Sequence, residues 1–212
     1  KSGTPVTADD LGAAGAMALL LREAMLPNLV QTLEGNPAFV HCGPFANIAH
    51  GNSSIIADDL ALSRSDYVVT EAGFGAEMGA EKALHIKALA SGVSPSCIVL
   101  NVTVRSMKLH GGGFAGGGGA RPTKEEIETE NVDAVRTGAA SNMRRHVRNL
   151  ATTSIPVVVS INRFATDTDA EIEAIRDEAL KAGAKEIVLF EGFAKGGEGA
   201  ADLADAVVDA CA

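Results

Sequence analysis

The chain has 212 residues, 46% of them apolar and 21% charged, with a formal net charge of −9. The apolar share can build a sizeable core and excludes wholesale disorder. The acidic balance leaves no Lys and Arg surplus for non-specific binding to nucleic acid or an anionic membrane, although a small anionic ligand needs only a few local cations and backbone N–H groups.

In chain order, "TADDLGAAGAMALLLREAM" reads as a helix with Thr7 as its N-cap, closed by Pro27. "PAFVHC" is a first short strand, and "NSSIIADDLALSRS" a helix started by Asn52 or Ser53. "DYVVTEAGF" reads as a second strand, followed by the helix "AEMGAEKALHIKALASG" with Gly92 as its stop. "SCIVLNVTV" is a third strand. After it comes a glycine-rich loop at about 111–120, with seven Gly among the nine residues from Gly111 to Gly119. Glycine at that density costs backbone entropy and offers no packing, so the stretch reads as a mobile linker or a ligand-gated loop. One or two helices follow in "EEIETENVDAVRTGAASNMRRHVRNLATT". "IPVVVSIN" is a fourth strand, "TDAEIEAIRDEALKAG" a helix capped by Asp169 and stopped by Gly183, "EIVLFEGF" a fifth strand and "GAADLADAVVDAC" a last helix.

Apolar strands alternating with helices predict one α/β domain over residues 1–212, with a mostly parallel sheet and helices on both faces. The sequence starts without Met and stops directly after a helical pattern, so it reads as a piece of a longer polypeptide. Cys42, Cys97 and Cys211 show no C-x-x-C spacing, which argues for a reducing compartment rather than a disulfide framework or a zinc site. With no signal peptide or bilayer-length apolar run, a cytoplasmic protein is expected.

In parallel sheets ligands bind beyond the carboxyl ends of the strands, where the unusual residues of this sequence gather. Glu71 ends the second strand before a glycine turn, suited to hold a metal-bound water or polarise a nucleotide, or equally to cap the next helix. Arg105, Lys108 and His110 follow the third strand and suit a phosphate or carboxylate. Asn162 ends the fourth strand and suits a heterocycle edge. Phe164 and Phe193 sit in polar loops after the fourth and fifth strands, either as loop anchors or as the walls of a slot for a planar ring. In "HCGPFANIAHGNSSIIAD", Asn47, His50 and Asn52 are placed to surround a ligand or to order neighbouring loops. No residue near His50 has the spacing of a metal ligand. No G-x-x-x-x-G-K-[ST] occurs, so the glycine run is not a nucleotide P-loop.

Taken together, "PVTADDLGAAGAM", "PNLVQTLEGNPAFVHCGPFANIAHGNSSIIAD", "DYVVTEAGFGAEMGAEK", "VTVRSMKLHGGG", "IPVVVSINRFATDT" and "FAKGGEGA" resemble the formate–tetrahydrofolate ligase family, in order, from about Pro5 to Ala200. The resemblance implies a P-loop-NTPase-like architecture whose P-loop segment lies upstream. It implies ATP-dependent ligation of formate to tetrahydrofolate through formyl phosphate, giving 10-formyltetrahydrofolate, ADP and phosphate. Arg105, Lys108, His110 and Glu71 would be catalytic, and Phe164, Phe193 and Asn162 would bind folate. Asn47, His50, Asn52, Gly196 and Gly197 would order loops or touch the nucleotide. ATP with Mg2+, tetrahydrofolate as co-substrate and a monovalent cation are implied, as is a homo-oligomer in the longer form. Family members usually carry Trp at position 193, and aromatics in place of Ala83 and Leu84. The alternative is a non-catalytic folate- or nucleotide-binding and assembly module.

Overall fold

The computed structural model describes residues 3–43, 50–51, 53–115 and 122–212; Asn47 and Asn52 lie outside them. Within the single α/β domain expected over residues 1–212, the chain forms two compact units, Lys1–Gly92 and Val93–Ala212.

In the first unit, helix α1 (Ala14–Leu21) starts later than its sequence pattern does. Thr7 and Asp10 exchange the expected capping bonds, Asp10 Oδ2 accepting from the Thr7 amide at 2.8 Å, but Gly12 turns the chain at φ 65° before the helix begins. Strands β1 (Asn28–Gln31) and β2 (Pro37–Val40) form an antiparallel hairpin. Its turn is closed by the Thr32 amide on the Asn36 carbonyl at 2.9 Å, with Gly35 at φ 86°. "PAFVHC" therefore supplies a hairpin strand, and not a strand of the parallel sheet. Helix α2 (Ile55–Leu62) is capped by Ser54, one residue beyond the sequence expectation. The stretch "DYVVTEAGF" forms no strand: Tyr67, Val69 and Phe74 are exposed and no ladder includes them. An apolar run specifies a strand only when a neighbouring strand takes up its N–H and C=O groups. The helix that follows comprises α3 (Gly79–Lys82), a π-helical turn (Ala83–Lys87) and α4 (Ala88–Ser91), ended by Gly92 in the left-handed region at φ 74°.

The second unit holds the parallel sheet, β3 (Ile98–Val102), β4 (Val157–Asn162) and β5 (Glu186–Phe190), with β4 in the centre. Its register pairs Val102 with Ile161 and Asn162 with Phe190. β4 is buried along nearly its whole length because helices cover both of its faces. On one face Val159 and Ile161 join Val104, Met107, Val135, Met143, Val147, Ile172 and Ile175. On the other, Val158 and Val188 pack against Ala206 of α11 (Ala201–Cys211).

Val104, read as the last residue of the third strand, and the residues read as following that strand form helix α5 (Val104–His110). Thr103 and Ser106 form a reciprocal capping box at its start, and Val104, Met107 and Lys108 form its inward stripe. Next come α6 (Lys124–Glu128) and α7 (Val132–Gly138), then a π-helical turn, α8 (Arg144–Ala151), α9 (Asp169–Ala182) and the short α10 (Gly192–Lys195).

The first glycines of the rich run do have a packing role. A Cβ on Gly111 would lie 1.8 Å from the Ala134 carbonyl oxygen, and one on Gly138 would lie 2.0 Å from that of Met107. Both positions must be glycine for α5 and α7 to touch backbone to backbone, and Phe114, inside the run, is buried with them.

Candidate functional site

The carboxyl ends of β4 and β5 lie side by side, because Asn162 is in register with Phe190 and the Arg163 amide continues the ladder to the Phe190 carbonyl at 3.0 Å. Phe164 follows β4 and Phe193 follows β5, so the two rings sit on adjacent strand-end segments. They are 52% and 98% exposed, in a chain where aromatics make up only 4% of residues. Charged pairs flank them along the chain. Arg163 donates to Asp169 at 3.0 Å, and Lys195 donates to Glu191 at 2.5 Å. That Lys195 bond holds the Glu191 carboxyl below the usual range. Gly196, at φ 62° and ψ −143°, ends α10, and Gly197 lies in the 3-10 turn that follows.

The Phe164 loop is built on a buried polar cluster. Asp167 accepts the Phe164 amide at 2.9 Å and returns its own amide to the Phe164 carbonyl at 3.0 Å. Burial pushes the Asp167 carboxyl up, against the opposing pull of the Phe164 N–H. Thr168 then caps α9, with Glu171 reaching back to the Thr168 amide at 3.2 Å. Glu171 is fully buried and also accepts the Asn131 amide at 2.8 Å.

Facing Glu171 is Lys108, 1% exposed, whose ammonium donates to Glu171 at 2.8 Å and to the carbonyls of Thr129 and Ile127 at 2.8 and 3.0 Å. Burial alone would raise the Glu171 carboxyl. The Lys108 bond and the two amide bonds outweigh it and hold that carboxyl below its ordinary range. Lys108 is thus an internal cross-link between α5, the segment before α7 and the start of α9. The sequence expectation that groups it with Arg105 and His110 as an open anion site differs from this geometry. A helix turns 100° per residue, which sends Lys108 inward and leaves Arg105 and His110 exposed. Glu171 and Asp167 were not expected as site-building residues. The T-x-x-E spacing of Thr168 and Glu171 is the sequence signal that marks such a cap.

In the Lys1–Gly92 unit, His41 and Ser54 of "HCGPFANIAHGNSSIIAD" form a cap network. His41, 5% exposed, bonds the Ala24 carbonyl through Nε2 at 2.8 Å, so that nitrogen is the donor, and its Nδ1 accepts from Ser54 Oγ at 2.6 Å. Ser54 in turn accepts the Ala57 amide and caps α2. Beside this cap is a cavity of ≈ 190 Å³ lined by His50, Gly51, Ser53 and Lys87, among others. Lys87 pairs with Asp58 at 2.5 Å across its edge. Glu71 belongs to the same unit and is exposed. Among the described residues, no group of three or more His, Cys, Asp or Glu is arranged to hold a metal ion.

The sequence model of the family described as formate–tetrahydrofolate ligase matches residues 1–212. The chain belongs to the formate–tetrahydrofolate ligase family. A formate–tetrahydrofolate ligase from Desulforamulus reducens is 52% identical over 209 residues, 99% of this chain and 36% of that protein. The ligase of a Roseiflexus species (strain RS-1) is 54% identical over 211 residues, 100% of this chain and 37% of that protein. The C-1-tetrahydrofolate synthase, cytoplasmic, of Schizosaccharomyces pombe is 49% identical over 223 residues, 100% of this chain and 24% of that protein. The chain therefore spans little more than a third of the length of the two ligases and about a quarter of that of the synthase. The family match takes in both the strand-end phenylalanines of the second unit and the His41 cap network of the first. No helix among the described residues is long and apolar enough to cross a membrane.

Proposed function

We propose that this chain supplies the tetrahydrofolate surface and part of the nucleotide surface of a cytoplasmic, homo-oligomeric formate–tetrahydrofolate ligase with a P-loop-NTPase-like frame. In the reaction, formate oxygen attacks the γ-phosphorus of ATP, entering as its magnesium complex, and ADP leaves. Tetrahydrofolate N10 then attacks the carbonyl carbon of formyl phosphate, expels phosphate and loses its proton, giving 10-formyltetrahydrofolate.

The observation that carries the reading is the pair of exposed phenylalanines on adjacent strand ends of a ligase-family chain. An exposed ring costs favourable burial, and a planar pterin would restore that burial by stacking. Asn162, at the end of β4, would meet the ring edge. Exposed Arg105 and His110 on α5 are the groups available to an anionic intermediate, with Lys108 holding α5 in place. Gly196 and Gly197 would touch the nucleotide or order their own turn; within the Lys1–Gly92 unit, Glu71 would take a catalytic part and His50 would order its loop. A second reading, a non-catalytic binding and assembly module, is favoured only by the absence of a P-loop motif within these residues.

The test is a Phe193 series in a chain of full family length. Phe193→Ala is expected to raise KM for tetrahydrofolate about fivefold, the equivalent of ~1 kcal/mol of stacking, with KM for ATP unchanged. Phe193→Trp should retain binding. Equal losses for both substrates would show that Phe193 has no specific part in folate binding.

A further inference from the structure

We propose that Asp167 is a positioning residue for tetrahydrofolate, acting through Phe164; the proposal rests on the folate reading of Phe164 given above. Phe164 is half-exposed at the tip of a loop, where a ring that presents a flat face to a ligand would otherwise wander among rotamers and backbone states. Its backbone is instead fixed on both sides by one residue. The Phe164 amide donates to the Asp167 carboxylate at 2.9 Å, and the Phe164 carbonyl accepts the Asp167 amide at 3.0 Å.

Asp167 is only 9% exposed, which is unusual for a loop carboxylate, since burying that group is costly unless its partners compensate. The next residue, Thr168, is the N-cap of α9, held by Glu171, which is itself held by Lys108. The order from core to surface is therefore Lys108, Glu171, Thr168, Asp167 and the Phe164 ring. Lys108 pairs with Glu171, Glu171 accepts the Thr168 amide, Asp167 is the chain neighbour of Thr168, and Asp167 bonds the Phe164 backbone on both sides, so the backbone that carries the ring stands on a fixed base. A small misplacement of a binding group costs affinity out of proportion to the bond lost. The chemistry needed at position 167 is an acceptor at this distance from the backbone. The negative charge itself is not required, and this separates the role from a general electrostatic one.

The experiment compares Phe164→Ala, Asp167→Ala, Asp167→Asn and the Phe164→Ala/Asp167→Ala double variant in a chain of full family length, reading KM for tetrahydrofolate and for ATP. Asp167→Ala is expected to raise KM for tetrahydrofolate about fivefold without moving KM for ATP. Asp167→Asn, which keeps an acceptor oxygen in place, should stay close to the parent. The double variant should be no worse than Phe164→Ala, because both changes remove the same contact. Additive losses, or a parallel rise in KM for ATP, would overturn the positioning role. If Phe164→Ala leaves KM for tetrahydrofolate unchanged, the folate reading itself fails, and the proposal with it. Should Asp167→Ala not fold, Asp167→Glu serves instead. It keeps the charge and displaces the acceptor by one methylene, so a raised KM for tetrahydrofolate supports the role and a parent-like value overturns it.

Discussion

Lys108→Met is expected to destabilise the Val93–Ala212 unit by about 3–5 kcal/mol. Methionine fills the space but leaves Glu171 as an unpaired buried carboxylate and takes the donor from the carbonyls of Ile127 and Thr129. Urea unfolding should show a lower midpoint with little change in slope. Adding Glu171→Gln should recover part of the loss, because the neutral amide still accepts the Asn131 amide and no charge is then stranded. Acidification should act in the same direction. The depressed Glu171 carboxyl contributes stability that is present above the ordinary carboxylate range and is lost as pH falls through its folded value. In Lys108→Met this contribution should be missing from the acid limb. A loss below about 1 kcal/mol, typical of exposed pairs, would contradict the cross-link.

The second unit was legible in the sequence because its signals are redundant. "IPVVVSIN" and "EIVLFEGF" are apolar runs followed by stop residues, and both became parallel strands with helices on either face. Gly183 ended its helix in the left-handed conformation that its sequence position implied, as Gly92 did in the first unit. The first unit was less legible. "DYVVTEAGF" has the composition of a strand, but composition does not supply the neighbour that a ladder requires. "PAFV" found its partner in "NLVQ" across a turn, whose pairing depends on Gly35 rather than on hydrophobic pattern. At the site, the aromatic placement could be read from residue type, since a Phe in a polar loop is conspicuous. The inward turn of Lys108 could not. It follows from helical phase once "VRSMKLH" is a helix, and the capping box that makes it one is a short-range signal easily hidden beside a run of glycines.

The 212 residues alone are expected to form no 10-formyltetrahydrofolate when given ATP, formate and tetrahydrofolate. Phosphoryl transfer depends almost wholly on positioning and on neutralising the γ-phosphate. The sequence contains no lysine-bearing phosphate loop, and Lys108, one of three residues read as catalytic after the third strand, is committed to Glu171. A discontinuous assay of the folate product is sufficient. Robust turnover would show that the phosphate is held by residues other than a P-loop. Turnover by a chain of full family length, with none from these residues alone, would favour the ligase over the non-catalytic module.

The most direct test of the folate assignment is amide hydrogen exchange in a chain of full family length, with and without each substrate. Tetrahydrofolate should slow exchange in peptides covering residues 163–168 and 190–195, because a ring stacked between Phe164 and Phe193 suppresses local opening of both segments. ATP should leave those two peptides unchanged. Protection by tetrahydrofolate elsewhere in the chain, with both peptides exchanging as in the free protein, would contradict the assignment.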